Sequence, residues 1–456
     1  MAIHVLPRHR AFGLLLASVV GGACLCGREI HGFEEDTLDA GHDGGAALDA
    51  GDAGPDAGDA GIDAGIDAGL DAGADGGADA GHESALDAGG CIRGVASNLN
   101  SSVTYPAPGP YLPLISADLN NDGLLDLVAP YDSSSGFDVF LALPDGGLTA
   151  AINYPGNTSP VVAVADVNQD GWPDLVVGDA LALDIDLYFN TGTGDLIRKS
   201  SIPTTYGYAT AIGVGDFNAD GFPDIVVSEF LSFAEGTTAE IFFGGRGGSF
   251  DAPVTLTELQ GTFPFVNEQI IVADLNDDGL PDIVASYAPD QLHQHEVAVL
   301  FNKSDGGFQM ATYGVYGDIA LLTPASGPPD ILVVHYGGFG PSYLQVLRNM
   351  AGAFSLGELY SVDAGNAGLW YTVGDFNGDC IPDVVLTEPG ACGSAGAAIN
   401  VFYGDGQGGF DTPEPVTPAG DGPFYAAPIG PVESPRALAV FDFCNGLEVY
   451  GDATRH

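Results

Sequence analysis

The stretch VADLNDDGLPDIVAS, Val272 to Ser286, packs Asp274, Asn276, Asp277, Asp278 and Asp282 into nine residues between two apolar runs. Short runs rich in Val, Ile and Leu, bounded by Asn, Asp and Gly, read as strands, and the acidic segment as the loop joining them. Four carboxylates in so short a loop repel one another unless an opposite charge holds them. The stretch is one of five. SADLNNDGLLDLVAP starts at Ser116, VADVNQDGWPDLVVG at Val164, VGDFNADGFPDIVVS at Val214 and VGDFNGDCIPDVVLT at Val373. All five fit DxNxDGxxD, except that Cys380 takes the Gly position of the last.

A second motif follows each loop: FDVFLAL, IDLYFNT, EIFFGG, VAVLFN, LQVLRN, INVFYGD and finally LEVYGD. A Gly-rich turn and another short strand pattern come after six of these, so a unit holds about four strands. The first loop Asp lies at 118, 166, 216, 274 and 375, giving intervals of 48, 50, 58 and 101. The last interval hides a unit. Its remnant is IALLTPASGPPDILVV, where Asp330 matches the final loop Asp while Leu322, Pro324 and Ser326 stand at the other oxygen-donor positions. A seventh, ALAVFDFCNGLEVYG from Ala437, reads as an entering strand with Asp442, a shortened loop and a third strand.

Four-stranded antiparallel units repeated every 40 to 60 residues or so predict an all-β protein, a seven-bladed β-propeller. The last unit lacks a fourth strand, whereas SSVTYPAPGP, Ser101 to Pro110, looks like a fourth strand without a blade and resembles AAINYPGNTSP. The expectation is that this N-terminal strand completes the last blade, sparing the molecule two unpaired sheet edges.

From Ser97 to Ala453 the repeats resemble the FG-GAP/VCBS family, calcium-loop propeller modules known from the heads of integrin α chains and from exported bacterial proteins. The resemblance implies a seven-bladed propeller with calcium in the loops between first and second strands of several blades. It narrows fold far more than role. The two units without an acidic loop, and Cys380, depart from the family pattern.

The loop chemistry stands beside the resemblance. Ca²⁺ takes six to eight oxygens, at roughly 2.3–2.6 Å, from carboxylates, amides, backbone carbonyls and water. Positions one, three, five and nine supply side-chain oxygen, position seven a backbone carbonyl, and Gly at position six the sharp bend. The expected ligands are Asp118, Asn120, Asp122 and Asp126; Asp166, Asn168, Asp170 and Asp174; Asp216, Asn218, Asp220 and Asp224; Asp274, Asn276, Asp278 and Asp282; and Asp375, Asn377, Asp379 and Asp383. A bound Ca²⁺ leaves about one net negative charge on such a set instead of three. The sites read as structural clips. The bland alternative, solvated acidic turns, does not account for five-fold repetition.

Composition agrees. The chain of 456 residues has 11 Lys plus Arg against 62 Asp plus Glu, a net charge of −51. Such a field repels nucleic acid and anionic membranes and attracts cations. Residues 1–23, with a basic start, the apolar run AFGLLLASVV and a small-residue exit, read as a secretory signal too short to span a membrane. GGAC resembles a lipoprotein box, which makes Cys24 a lipidation candidate, with ordinary cleavage as the alternative. The Asp/Ala/Gly-rich stretch of 24–90 has nothing to bury and is expected to be a disordered tether ahead of the propeller at 91–456.

Four cysteines remain in the propeller, Cys91, Cys380, Cys392 and Cys444. They allow three pairings; Cys380 with Cys392, closing a local loop, and Cys91 with Cys444, pinning the chain ends, are the favoured pair. No GxSxG, HExxH or phosphate loop occurs. His293, His295 and Glu296 form either a transition-metal group or a solvated connection. Tyr206, Tyr208, Phe263, Phe265, Trp370 and Tyr371 precede first strands, placed for ligand stacking or, more commonly, blade packing.

Two readings of function remain. The favoured one is a calcium-stabilised, noncatalytic surface or adhesion module, monomeric, binding a protein or glycan, on a cell-surface or outer-membrane lipoprotein or a secreted chain. The other is an extracellular calcium-dependent hydrolase or lyase.

Overall fold

The computed structural model describes residues 101–105, 113–131, 135–179, 181–232, 236–261, 269–287, 296–303, 307–324, 327–335, 342–362, 370–388, 398–416, 423–431, 437–442 and 446–451. The chain divides into two compact units, Met1–Ala23 with Ser84–His456, and Cys24–Glu83. All described residues belong to the first. The signal and tether segments, with Cys24, Cys91, Cys392 and Cys444, lie outside them, as do Phe263, Phe265, His293 and His295.

Every element is a strand, and no helix occurs among the described residues. The first five are β1 (Ser101–Tyr105), β2 (Ile115–Ala117), β3 (Leu124–Pro130), β4 (Ser135–Phe140) and β5 (Ile152–Thr158). A four-stranded sheet follows as β6 (Val161–Ala165), β7 (Asp174–Gly178), β8 (Asp184–Asn190) and β9 (Leu196–Pro203). The next comprises β10 (Tyr208–Gly215), β11 (Asp224–Ser232) and β12 (Gly236–Phe242), then the small hairpin β13 (Gly244–Gly245) and β14 (Ser249–Phe250), and β15 (Val254–Gly261) as its fourth strand. Three more sheets run in order. They are β16 (Ile270–Ala273), β17 (Asp282–Tyr287), β18 (Glu296–Asn302) and β19 (Phe308–Tyr313); β20 (Asp318–Leu322), β21 (Asp330–His335), β22 (Ser342–Asn349) and β23 (Phe354–Val362); and β24 (Trp370–Gly374), β25 (Asp383–Glu388), β26 (Ala398–Phe402) and β27 (Glu414–Val416). The last strands are β28 (Pro423–Pro431), β29 (Ala437–Asp442) and β30 (Gly446–Gly451).

The protein is a β-propeller of four-stranded antiparallel blades. Against an expectation of seven, five such sheets stand alone, and the remaining strands form one eight-stranded sheet. Its two parts, β2–β5 and β28–β29–β30–β1, are joined where Gly430 and Pro431 of β28 pair with Leu125 and Leu124 of β3. β1 pairs antiparallel with β30, from Ser101 opposite Gly451 to Tyr105 opposite Leu447. One sequence reading is corrected here. Ala437–Asp442 is not an entering strand: β29 lies between β28 and β30, so the first strand of that group is Pro423–Pro431, and Asp442 ends the second, opposite Gly446.

The second strands are buried on both faces, as in DLVVG of β7, which is why their runs are continuously apolar rather than alternating. Neighbouring sheets meet face to face through seven apolar clusters among the described residues. One sits between the two parts of the eight-stranded sheet, with Leu127 and Phe140 against Ile429 and Leu447. First strands approach so closely that a Cβ on Gly213 would lie 2.6 Å from Val272 Cγ2 of the next sheet, so any larger residue there would force the neighbouring side chains to move.

Candidate metal centres

Each acidic segment lies between the first two strands of its sheet: Asp118–Asp126 between β2 and β3, Asp166–Asp174 between β6 and β7, Asp216–Asp224 between β10 and β11, Asp274–Asp282 between β16 and β17, and Asp375–Asp383 between β24 and β25. One hydrogen-bond pattern shapes them all. In the first loop the N–H of Asp122 donates to Asp118 Oδ1 (3.0 Å) and Asn120 Oδ1 (3.0 Å), and that of Gly123 to Asp118 Oδ2 (2.9 Å). The N–H of Leu124 donates to Asp122 Oδ1 at 2.9 Å. The same partners recur in the fifth loop, where the N–H of Cys380 donates to Asp375 Oδ2 at 2.9 Å.

Two residues per loop take left-handed backbone. Position six was legible as Gly; Cys380 holds that conformation too, with φ of 61°, and is disulfide-bonded. Position four was not legible, because its occupants include Gln169 (φ 60°) and Ala219 (φ 56°), neither a habitual left-handed residue.

The ninth residue differs from the rest. Asp126, Asp174, Asp224, Asp282 and Asp383 are fully buried, and each accepts a backbone N–H from just beyond or at the end of its own sheet's third strand. Ala142, Asn190, Gly244, Asn302 and Gly404 are the donors, at 2.7 to 2.9 Å. The sheet without an acidic loop keeps this bond, Asn349 N–H to Asp330 Oδ1 at 2.6 Å. Asp330 thus persists where the other oxygen donors are gone because it clamps the third strand.

Burial pushes Asp126, Asp174, Asp224 and Asp282 up to about 6 and Asp383 to about 7, and the other carboxylates of each loop add to the shift. Each loop is therefore a partly buried, uncompensated negative charge. The donor chemistry is carboxylate and amide oxygen without sulfur or imidazole, which suits a hard cation. As placed, the oxygens face the loop's own N–H groups, and among the described residues no three Asp, Glu, His or Cys side chains gather round one point.

With this geometry in place, the FG-GAP-like repeat pattern matches residues 118–177 and 166–227, two units that begin on the first Asp of the first and second loops. The chain carries FG-GAP-like repeats. No curated protein matches it. Among solved structures, the Pseudomonas aeruginosa periplasmic gluconolactonase PpgL is 14% identical at a TM-score of 0.50, covering 71% of this chain and 90% of its own. An Agrocybe aegerita lectin recognising non-reducing terminal N-acetylglucosamine is 18% identical at 0.46, over 68% of this chain and 81% of its own. BBS1N, solved in complex with ARL6DN, is 12% identical at 0.49, over 79% and 98%. At 14% identity, the likeness to the gluconolactonase concerns the fold alone.

Side chains at the ends of third strands tie FG-GAP loops to their neighbours. Asn190 Nδ2 donates to Leu119 O of the preceding loop (2.6 Å) and to Pro173 O of its own (2.9 Å). Asn302 reaches Phe217 O and Asn349 reaches Leu275 O, each at 2.8 Å. The recurrent Asn in IDLYFNT, VAVLFN and LQVLRN was the available sequence signal.

Of the aromatic candidates, Trp370 packs on Tyr425 of β28 with centroids 4.5 Å apart, and Tyr371 donates its hydroxyl to Ile319 O at 2.7 Å while accepting from Gln269 Nε2. Both join sheets. Tyr206 is largely exposed, and Tyr208 is half-buried on β10. A carboxyl pair missed by sequence reasoning, Glu229 and Glu240, is 0% and 1% exposed, so no substrate reaches it.

Proposed function

We propose that the chain is an exported, calcium-stabilised propeller of seven blades serving as a noncatalytic surface module that binds a protein or a glycan. In this reading the eight-stranded sheet is two blades touching at a two-pair seam, the second completed by β1. Tyr105 supports that division: its hydroxyl accepts the N–H of Leu148 at 2.9 Å, just as Tyr154 accepts that of Leu196 at 3.0 Å between the blades that follow.

Asp118, Asn120, Asp122 and Asp126, with their four sets of counterparts, would hold the cations. A bound Ca²⁺ supplies positive charge that offsets the crowding of carboxylates. The chain's own contribution is the bend at positions four and six and the N–H network that pre-positions the oxygens.

The observation that carries the binding reading is that the repeated acids serve the frame. Each ninth-position Asp is spent on a third-strand N–H, so the repeats build a scaffold rather than a reaction centre. The connections leaving the second strands away from the loops vary from three residues (443–445) to nine (389–397), the diversity a recognition surface uses. Export, with either a lipid anchor on Cys24 or ordinary cleavage before it, is proposed from the leader sequence alone.

The test is to screen the purified chain against glycans and surface proteins, with calcium and with chelator. Saturable binding without turnover is expected. Release of product from a polysaccharide would overturn the reading in favour of a hydrolase or lyase.

A further inference from the structure

Successive FG-GAP loops are joined by side chains as well as by their blades. Asn121, at position four of the first loop, donates Nδ2 to Gly171 O, position six of the second, at 2.9 Å. Gln169, at position four of the second loop, donates to Gly221 O, position six of the third. Both donors hold left-handed backbone between two oxygen-donor positions of their own loop, and both acceptors are the bend residues of the next. Asn190 adds a second tie between the first and second loops.

The ties are not uniform. Ala219, at position four of the third loop, has no side-chain donor, and that loop meets the fourth blade through the Asn302 amide on Phe217 O and the packing of Phe217 on Phe308. The loop at Asp375–Asp383 has Gly378 at position four, and the sheet before it, β20–β23, has no acidic loop. Loops one to three therefore form a chain of ties, and the fifth stands apart.

We propose that the first three loops load cations as a coupled set, with Asn121 and Gln169 transmitting the order of one loop to the bend of the next, while the fifth loads independently. The inference rests on the calcium reading. An ion that orders positions three and five fixes position four between them. The amide at position four then holds the neighbouring Gly carbonyl in its bound geometry, so the next ion meets a loop already bent. Coupling between sites carried by such contacts is commonly about 5-fold or more in affinity.

The test is calorimetric titration of the metal-free full chain with Ca²⁺, comparing wild type with N121A/Q169A. Ala is tolerated at this position, because Ala219 already occupies it with the same left-handed backbone. Both target side chains are exposed, and circular dichroism checks that the variant folds. Wild type is expected to bind steeply, with a Hill coefficient above one, alongside an independent component. The variant should keep the stoichiometry, lose the steepness and need about 5-fold more Ca²⁺ for half-saturation of the coupled component. Binding by wild type with an unchanged isotherm in the variant overturns the coupling and leaves the calcium reading intact. No binding by wild type overturns both.

Discussion

Glu229 on β11 is a carboxyl with no solvent. Its Oε2 accepts the N–H groups of Tyr206 (2.8 Å) and Gly207 (2.6 Å), so it fastens the turn between β9 and β10, and Glu240 of β12 accepts the N–H of Thr205 at 3.1 Å. Among the described residues Thr238 Oγ1 has no hydrogen-bond partner, and the free edge of the Glu229 carboxyl meets Glu240, a contact that needs a proton between the two acids. Burial, followed by the adjoining Glu240, pushes the Glu229 carboxyl from 4.5 up to about 8. The folded state thus keeps a proton that the unfolded chain releases near pH 4.5. The group's stabilisation is present below that pH and is lost as pH rises to about 8. In Glu229→Gln the amide oxygen still accepts both N–H groups and its NH₂ faces Glu240 as the protonated acid does. Thermal melts at pH 5 should separate the two proteins by less than about 1 kcal/mol, while at pH 8.5 the variant should be more stable by roughly 4 kcal/mol, each pH unit between the two pKa values being worth about 1.4 kcal/mol. Equal differences at both pH values would show that the pair is not protonated in the fold. DIVVSEFLS carries no sign of this; only the register of β11 on β12 brings the two acids together.

Third strands do more than complete the sheets. Asn302 ends β18, is 3% exposed, and gives its amide to Phe217 O in the loop of the preceding blade. Asn302→Ala leaves that carbonyl buried without its partner, which costs about 1–3 kcal/mol. Urea unfolding should show the midpoint lowered by that amount with the slope unchanged. A loss under about 0.5 kcal/mol would mean the tie adds nothing to blade cohesion. At this scale the sequence was readable where period and punctuation coincide. Continuous apolar runs marked the central strands and DxNxDGxxD marked the hairpins. It misled at Ala437, where an apolar run resembling an entering strand is the second strand. The true first strand, PFYAAPIGP, carries three prolines and no alternating pattern. The single seam of two residue pairs between β28 and β3 has no sequence signature either, since pairing register there depends on how two sheets meet.

Across the whole molecule the excess of acid must be offset somewhere. The carboxyls at position nine of all five loops are raised by burial and by the acids beside them, so without a cation each loop opposes folding near neutral pH. In the calcium reading, free Ca²⁺ at ten times the dissociation constant adds about 1.4 kcal/mol per site. Five sites then contribute about 7 kcal/mol, comparable with a domain's net stability of about 5–15 kcal/mol. At about 2–4 °C per kcal/mol, calorimetry in millimolar calcium should place the melting temperature at least 10 °C above that in excess EDTA. The difference should grow with the logarithm of calcium concentration, because only the folded chain presents the preformed loops. Magnesium at the same concentration should do much less, since it demands a near-octahedral set that loops of this kind do not offer. Raised ionic strength from a monovalent salt separates site binding from screening: a shift reproduced by salt alone is the response of net charge −51 to its atmosphere, not of the loops. Coincident melting curves in calcium and EDTA at fixed ionic strength would show that N–H groups alone hold these carboxylates.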